Sequence, residues 1–291
     1  MKKLLRPTFN SESAFAVSVP AILWQIVFFY LPLSILLVSS ILQFSESGHF
    51  EKVTFSKLFA FIQPTYLQII LDSILLGLTN AILCFCIAYP LSYFLAFTCK
   101  KYTNLFLFLL IVPFWTNFLL HVYAWFFVLE KEGFLNNMLR TIGLIDQPIH
   151  FLNSIFSIMI MMVYYYLPFM VLPIYSSLGL MDKRLIEASV NLGATWMQTF
   201  RKILLPLSWQ GIRTGFFLVY IPSFAEFAIP ELMGGNKKMF VGNVISLYLL
   251  GEETGEYGAS FTVVSVFFLF ASTIALYYIL RQFILGRKRY G

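Results

Sequence analysis

Charge is scarce in this 291-residue chain: Asp, Glu, Lys and Arg make up 12% of it, about half of what a soluble domain carries. With 33 Phe, 16 Tyr and a hydrophobic share of 59%, and a mean hydropathy of +0.79, that scarcity excludes a water-soluble fold. Cysteine is scarce too: Cys84, Cys86 and Cys99 are too few for a disulfide framework, and they read as packing or lipid-facing residues. His49, His121 and His150 lie far apart and show none of the spacing a zinc or haem site needs. No phosphate-binding G-x-x-x-x-G-K-[ST] loop occurs; the nearest run, Gly234-Gly235-Asn236-Lys237-Lys238, lacks its spacing. Internal repeats, low-complexity tracts and heptad seams are likewise missing, and the length leaves no room for a separate catalytic domain beside the apolar stretches.

What is present is hydrocarbon-spanning helix. A transmembrane helix takes about 20 apolar residues, because the bilayer core is about 30 Å thick. Stretches at 15–42, 67–97, 102–129, 151–180 and 258–285 meet this, and a sixth at 207–230 does so while holding Arg213 and Glu226. The first stretch exceeds a signal-peptide core and has no cleavage site after it, so it is expected to stay as a helix. Residues 1–291 are thus one all-α integral membrane domain of six spans. Alternating the sides places 14 of the 20 Lys and Arg on the side of both termini, which the positive-inside rule makes cytoplasmic. The net charge of +6 is therefore a topology signal and needs no nucleic acid; Arg287, Lys288 and Arg289 suit an anchor at anionic lipid headgroups. Thr98 to Lys101 makes a tight hairpin, and the outer loops Gln43–Tyr66 and Glu130–His150 are long enough for short interfacial helices.

The loop 181–206 has a pattern of its own. Asp182 can cap a helix, after which Leu185, Ala188, Leu192, Trp196, Thr199 and Ile203 recur at spacings of three and four and predict an apolar helical face. Gly193 interrupts that face and marks a turn, and Pro206 suits the first turn of the next helix. The expected element is helix, glycine turn, helix and membrane re-entry. Such a face fits either a bilayer surface or a docking partner.

Glu187-Ala188-Ser189, three residues, Gly193, nine residues, then Ile203-x-Leu205-Pro206 resembles the cytoplasmic signature of permease subunits of ATP-binding-cassette importers, with Ser189 replacing the usual second Ala. The stretches FLLIVPFWTNFLLHVYAW from Phe108, GLIDQPI from Gly143, LPFMVLPIYSSL from Leu167 and ELMGGNKKMFVGNVI from Glu231 narrow the likeness. Together they resemble the polyamine (spermidine/putrescine) importer permeases, the first of such a system's two membrane subunits, from about Asp72 onward. His121 stands where that family usually has Arg.

The resemblance implies a type I importer-like bundle in a bacterial inner membrane, with a coupling helix formed around Glu187, Ala188, Ser189, Leu192, Gly193, Ile203, Leu205 and Pro206. It implies as partners a cytosolic ATPase dimer that uses ATP and Mg, a second homologous permease chain and an extracytoplasmic binding protein. This chain itself is then no enzyme and holds no cofactor.

For a cationic cargo, aromatic faces are suitable, each attracting a cation by roughly 0.5–2 kcal/mol. Trp115, Tyr123 and Trp125 lie in the third span, with Trp115, Phe118 and Trp125 expected on one helical face; an interfacial aromatic belt would give the same residues. Ionisable groups in spans are costly and face a cavity or partner. Glu226 and Glu231 flank Pro230 about 30 Å along the fifth span from Pro206 by helix rise, near an outer mouth, or else reach outer water. Asp72 starts the second span. The outer loops hold 11 acidic and 6 basic residues against 3 and 14 on the other side, which suits a polycation or a docked protein. Pro90, Pro113, Pro168, Pro173 and Pro222 fall within spans and predict kinks, with the last part of the fourth span a separate piece. A secondary transporter would need inverted repeats and an intramembrane enzyme a catalytic pair within the spans; neither pattern is evident. A permease for another small solute remains the alternative.

Overall fold

The structure, a computed structural model, describes residues 11–44, 50–235, 237–251 and 255–288. His49, Asn236, Arg289 and the side chains of Arg287 and Lys288 lie outside the described residues.

Among the described residues, four helices are long and apolar enough to cross a bilayer: Ser18–Ser39, Pro64–Thr98, Ile155–Gly179 and Tyr257–Gln282. Two bent pairs, Thr103–Trp115 with Phe118–Thr141 and Trp209–Phe224 with Ala228–Gly234, bring the spans to six when each pair counts as one. The outer loops carry local structure. Leu42–Phe44 pairs antiparallel with Phe50–Val53, followed by the helix Ser56–Ala60, and the second half of the third span's bent pair ends in the short helix Phe134–Thr141.

The core is the second, fourth and fifth spans packed together, and it contains Cys84, Met161, Met170, Val171, Ile174, Val219 and Tyr220. In lipid no hydrophobic effect drives helices together, so close packing and interhelical hydrogen bonds must do it. Both are present. A Cβ on Gly211 would collide with the Pro173 carbonyl, so only glycine lets the fifth span lie this close to the fourth. Asn80 Nδ2 donates to Ser223 Oγ at 2.8 Å, Ser92 Oγ to the Val171 carbonyl at 3.1 Å, and the Tyr89 and Ser208 hydroxyls lie 3.1 Å apart. The first span stands outside this core: its apolar window has no buried residue, against 44% for the fourth.

Two expectations need correction. The third span is not one helix over 102–129. Pro113 takes the chain into a 3-10 turn, Val112–Trp115, and Asn117 starts a new helix by accepting the Leu119 amide at 2.8 Å, so the axis turns by 100°. The fifth span does not run straight to Pro230: it stops at Phe224, just past Pro222, and resumes at Ala228 with a bend of 63°. The fourth span carries Pro168 and Pro173 inside one unbroken helix from Ile155 to Gly179. The packed second and fifth spans enclose it, and neighbouring helices let a membrane helix carry proline without breaking.

Candidate functional site

The loop after the fourth span folds as helix, turn and helix. Asp182 Oδ1 accepts the Arg184 amide at 3.0 Å, the helix runs Arg184–Asn191, and Gly193 takes a left-handed φ of +78° that a side chain would strain. Thr195 then opens the second helix through a capping box with Gln198, and the chain passes through a π-type segment, Phe200–Leu204, into Leu205–Leu207. Glu187 and Ala188 are exposed and Ile203 and Leu205 half-buried. Leu185, Leu192 and Trp196 all face outward, Leu192 at 87% exposure. Thr199 does not join them. It is buried and its hydroxyl lies 2.9 Å from that of buried Ser189, because the glycine turn resets the helical phase and the two helices do not share one continuous face.

The break in the third span exposes backbone that the bilayer cannot satisfy. His121 Nε2 lies 2.9 Å from the Pro113 carbonyl and also contacts the Thr116 hydroxyl, which itself donates to Pro113 at 2.8 Å. A carbonyl only accepts, so a proton sits on Nε2, and Nδ1 lies 2.9 Å from the Tyr164 hydroxyl. A cavity of about 150 Å³ adjoins this knot, lined by Pro113, Phe114, His121, Tyr164, Tyr165 and Pro168 among others.

At the break in the fifth span the orphaned groups are amides. Glu226, half-buried between the two halves, accepts from Ala228 at 3.1 Å and Ile229 at 3.5 Å through Oε1, and from the Tyr166 hydroxyl at 2.6 Å through Oε2. A carboxylate at the start of a helix also meets the positive end of its dipole.

The pathway candidates are thus scattered. Trp115 is 74% exposed in its 3-10 turn, with Phe108 edge-on at 5.8 Å, and the 100° bend removes it from the face of Phe118 and Trp125. Trp125 packs edge-on against Tyr164 at 5.6 Å, while Tyr123 is exposed. Glu231 is exposed on Ala228–Gly234. Asp72 is ion-paired with Lys238 at 3.1 Å.

Sequence reasoning missed the run Tyr164-Tyr165-Tyr166. Its outer members hold the two breaks, and the Tyr165 ring packs at 5.2 Å against both Phe114 and Phe118. The available signal was three successive phenols inside a span, each with a hydroxyl that needs a partner there.

A family model described as binding-protein-dependent transport system inner membrane component matches residues 13–289. The spermidine/putrescine transport system permease protein PotB of Escherichia coli is 37% identical over 82% of this chain and 88% of its own length. PotB of Haemophilus influenzae is 35% identical over 88% and 89%. Among solved structures, a chain of a bacterial ABC transporter involved in the import of the acidic polysaccharide alginate matches with a TM-score of 0.70 at 16% identity, over 92% of this chain and 95% of that one. At that identity the likeness concerns the fold.

Proposed function

This chain belongs to the family of binding-protein-dependent transport system inner membrane components, and we propose that it is the polyamine-conducting permease subunit of an ATP-driven importer, carrying spermidine and putrescine into the cytoplasm. The observation that carries the substrate is the 37% identity, across 82% of the chain, to relatives named as spermidine/putrescine permeases.

In this reading both termini are cytoplasmic, and the element around Glu187 and Gly193 seats in an ATPase subunit. The open apolar residues Leu185, Leu192 and Trp196 supply the contact area and Glu187 the charge; Ala188, Ser189, Ile203, Leu205 and Pro206 shape the element. ATP and Mg act in the ATPase dimer, a second permease chain completes the pathway, and a binding protein delivers cargo at the outer face. An alginate-importer structure contains a periplasmic protein bound to its ligand, which supports such a delivery step. Alternating access follows if the ATPase binds one state of the bundle more tightly than the other.

The Glu226 carboxyl group sits where the fifth span breaks, held by the Tyr166 hydroxyl, and a carboxylate in a span is a setting that attracts an ammonium group. Trp115, Tyr123, Trp125 and Glu231 are candidate wall residues. Asp72, ion-paired with Lys238, is the weakest of the set. The test is ATP-dependent uptake of labelled putrescine and spermidine into proteoliposomes holding the partner subunits, with and without this chain. Uptake that requires the chain and yields only to other polyamines supports the assignment. Polyamine uptake indifferent to the chain leaves a permease for another solute.

A further inference from the structure

The docking element has two covalent routes into the bundle, through Gly179 into the fourth span and through Pro206 into the fifth. The structure gives it a third. Lys183, half-buried just before the first of its helices, donates from Nζ to the Phe97 carbonyl at 2.6 Å and lies 5.8 Å from the centre of the Phe97 ring. Phe97 belongs to the last turn of the second span, Phe94–Thr98. A helix leaves carbonyls without partners there and carries the negative end of its dipole, so an ammonium group forms a charge-assisted bond about twice as strong as a neutral one. The two residues are 86 apart in sequence, so this is a tertiary strap and no local cap.

A strap transmits displacement only if the piece it holds is stiff. Across the glycine turn, Ser189 Oγ donates to the Ile186 carbonyl at 2.7 Å, so the Thr199 hydroxyl, 2.9 Å away, is the donor to Ser189. The Ala194 amide adds a bond to the Ser189 carbonyl at 3.0 Å. Ser189, the position that departs from the usual alanine, is therefore the point that fastens one helix of the element to the other.

We infer that Lys183 is a positioning residue that carries movement of the docking element to the adjacent end of the second span, so that one ATPase stroke shifts the second and fifth spans together. The inference rests on the docking role proposed above. Cys99, two residues beyond Phe97 and partly exposed, is a native reporter. Its alkylation rate, followed by mass spectrometry of its peptide, is compared between nucleotide-free and ATP-trapped importer complex.

In the wild type the two rates are expected to differ. Lys183→Met should make them equal and lower uptake per ATP hydrolysed by roughly three- to tenfold, while Lys183→Arg, which keeps donor and charge, restores both. Should Lys183→Met fail to assemble, the pair Ser189→Ala with Thr199→Val loosens the element while leaving the strap, and it too should abolish the difference. Equal rates in the wild type, or a Lys183→Met complex that keeps both the wild-type rates and the wild-type uptake ratio, overturn the inference. Co-purification separates it from its premise: ATPase subunits that never accompany the wild-type chain sink the docking role, whereas ATPase present with unchanged Lys183→Met behaviour sinks the strap alone.

Discussion

The third and fifth spans both break, and they solve opposite problems. In the third, the Pro113 carbonyl, already bonded to the Thr116 amide, draws in an imidazole donor as well; in the fifth, two amides are left over and a carboxyl group takes them. The third break is backed up, since Thr116 also donates to Pro113, whereas among the described contacts Glu226 alone serves Ala228 and Ile229 through its side chain. The lesson is that a broken membrane helix needs a side chain of the polarity opposite to the groups it exposes, and that the charged solution carries more of the load.

The comparison can be broken at its strongest point first. Glu226→Ala removes the acceptor of three hydrogen bonds, and bonds to a charged group contribute about 1.5–3 kcal/mol each, so thermal unfolding of the purified chain should show the largest loss of any single change here. Glu226→Gln sharpens it: an amide oxygen still serves the helix start, so stability should fall by about 1 kcal/mol or less while polyamine uptake drops if the charge attracts cargo. Unchanged uptake in Glu226→Gln would remove Glu226 from the pathway.

His121→Leu should cost less than Glu226→Ala, about 1–2 kcal/mol, because Thr116 still covers Pro113; His121→Arg, which keeps a donor, should cost less again. Smaller still is the paired test of the tyrosines. Tyr166→Phe leaves a carboxylate oxygen short of a donor and should destabilise more than Tyr164→Phe, for which about 0.5–1.5 kcal/mol is expected; equal losses would contradict the difference between the breaks. Trp115→Ala comes last: so exposed a side chain should change stability by no more than about 0.5 kcal/mol, and any fall in uptake would then mark a wall of the pathway.

Sequence alone revealed the parts whose signal is local. Sparse charge and apolar length picked out the stretches that fold as long apolar helices or bent helix pairs, and the family likeness seen in the Glu187 to Pro206 signature is shared by relatives across most of the chain. The turn at Gly193 was legible because glycine is the residue that tolerates a left-handed backbone. The bends in the third and fifth spans were signalled by Pro113 and Pro222, but their size was not, since hydropathy counts apolar residues whichever way the axis runs; Asn117, a good helix cap, was the overlooked clue to a full break. In the fourth span Pro168 and Pro173 are carried inside one continuous helix, with the second and fifth spans packed around it. Thr199 was misplaced because helical spacing was carried across a turn that resets it. The partners of His121 and Glu226 were invisible, because they arrive from a helix about 40 to 60 residues away in sequence in each case.

Neighbouring residues on a helix point about 100° apart, so Tyr164 and Tyr166 project from the fourth span at roughly 200° to one another. A helix holding one follower on each flank behaves as a camshaft. Any turn of that helix about its own axis would move both hydroxyls at once and in opposite senses, so the two breaks are tied to one rotation of the fourth span.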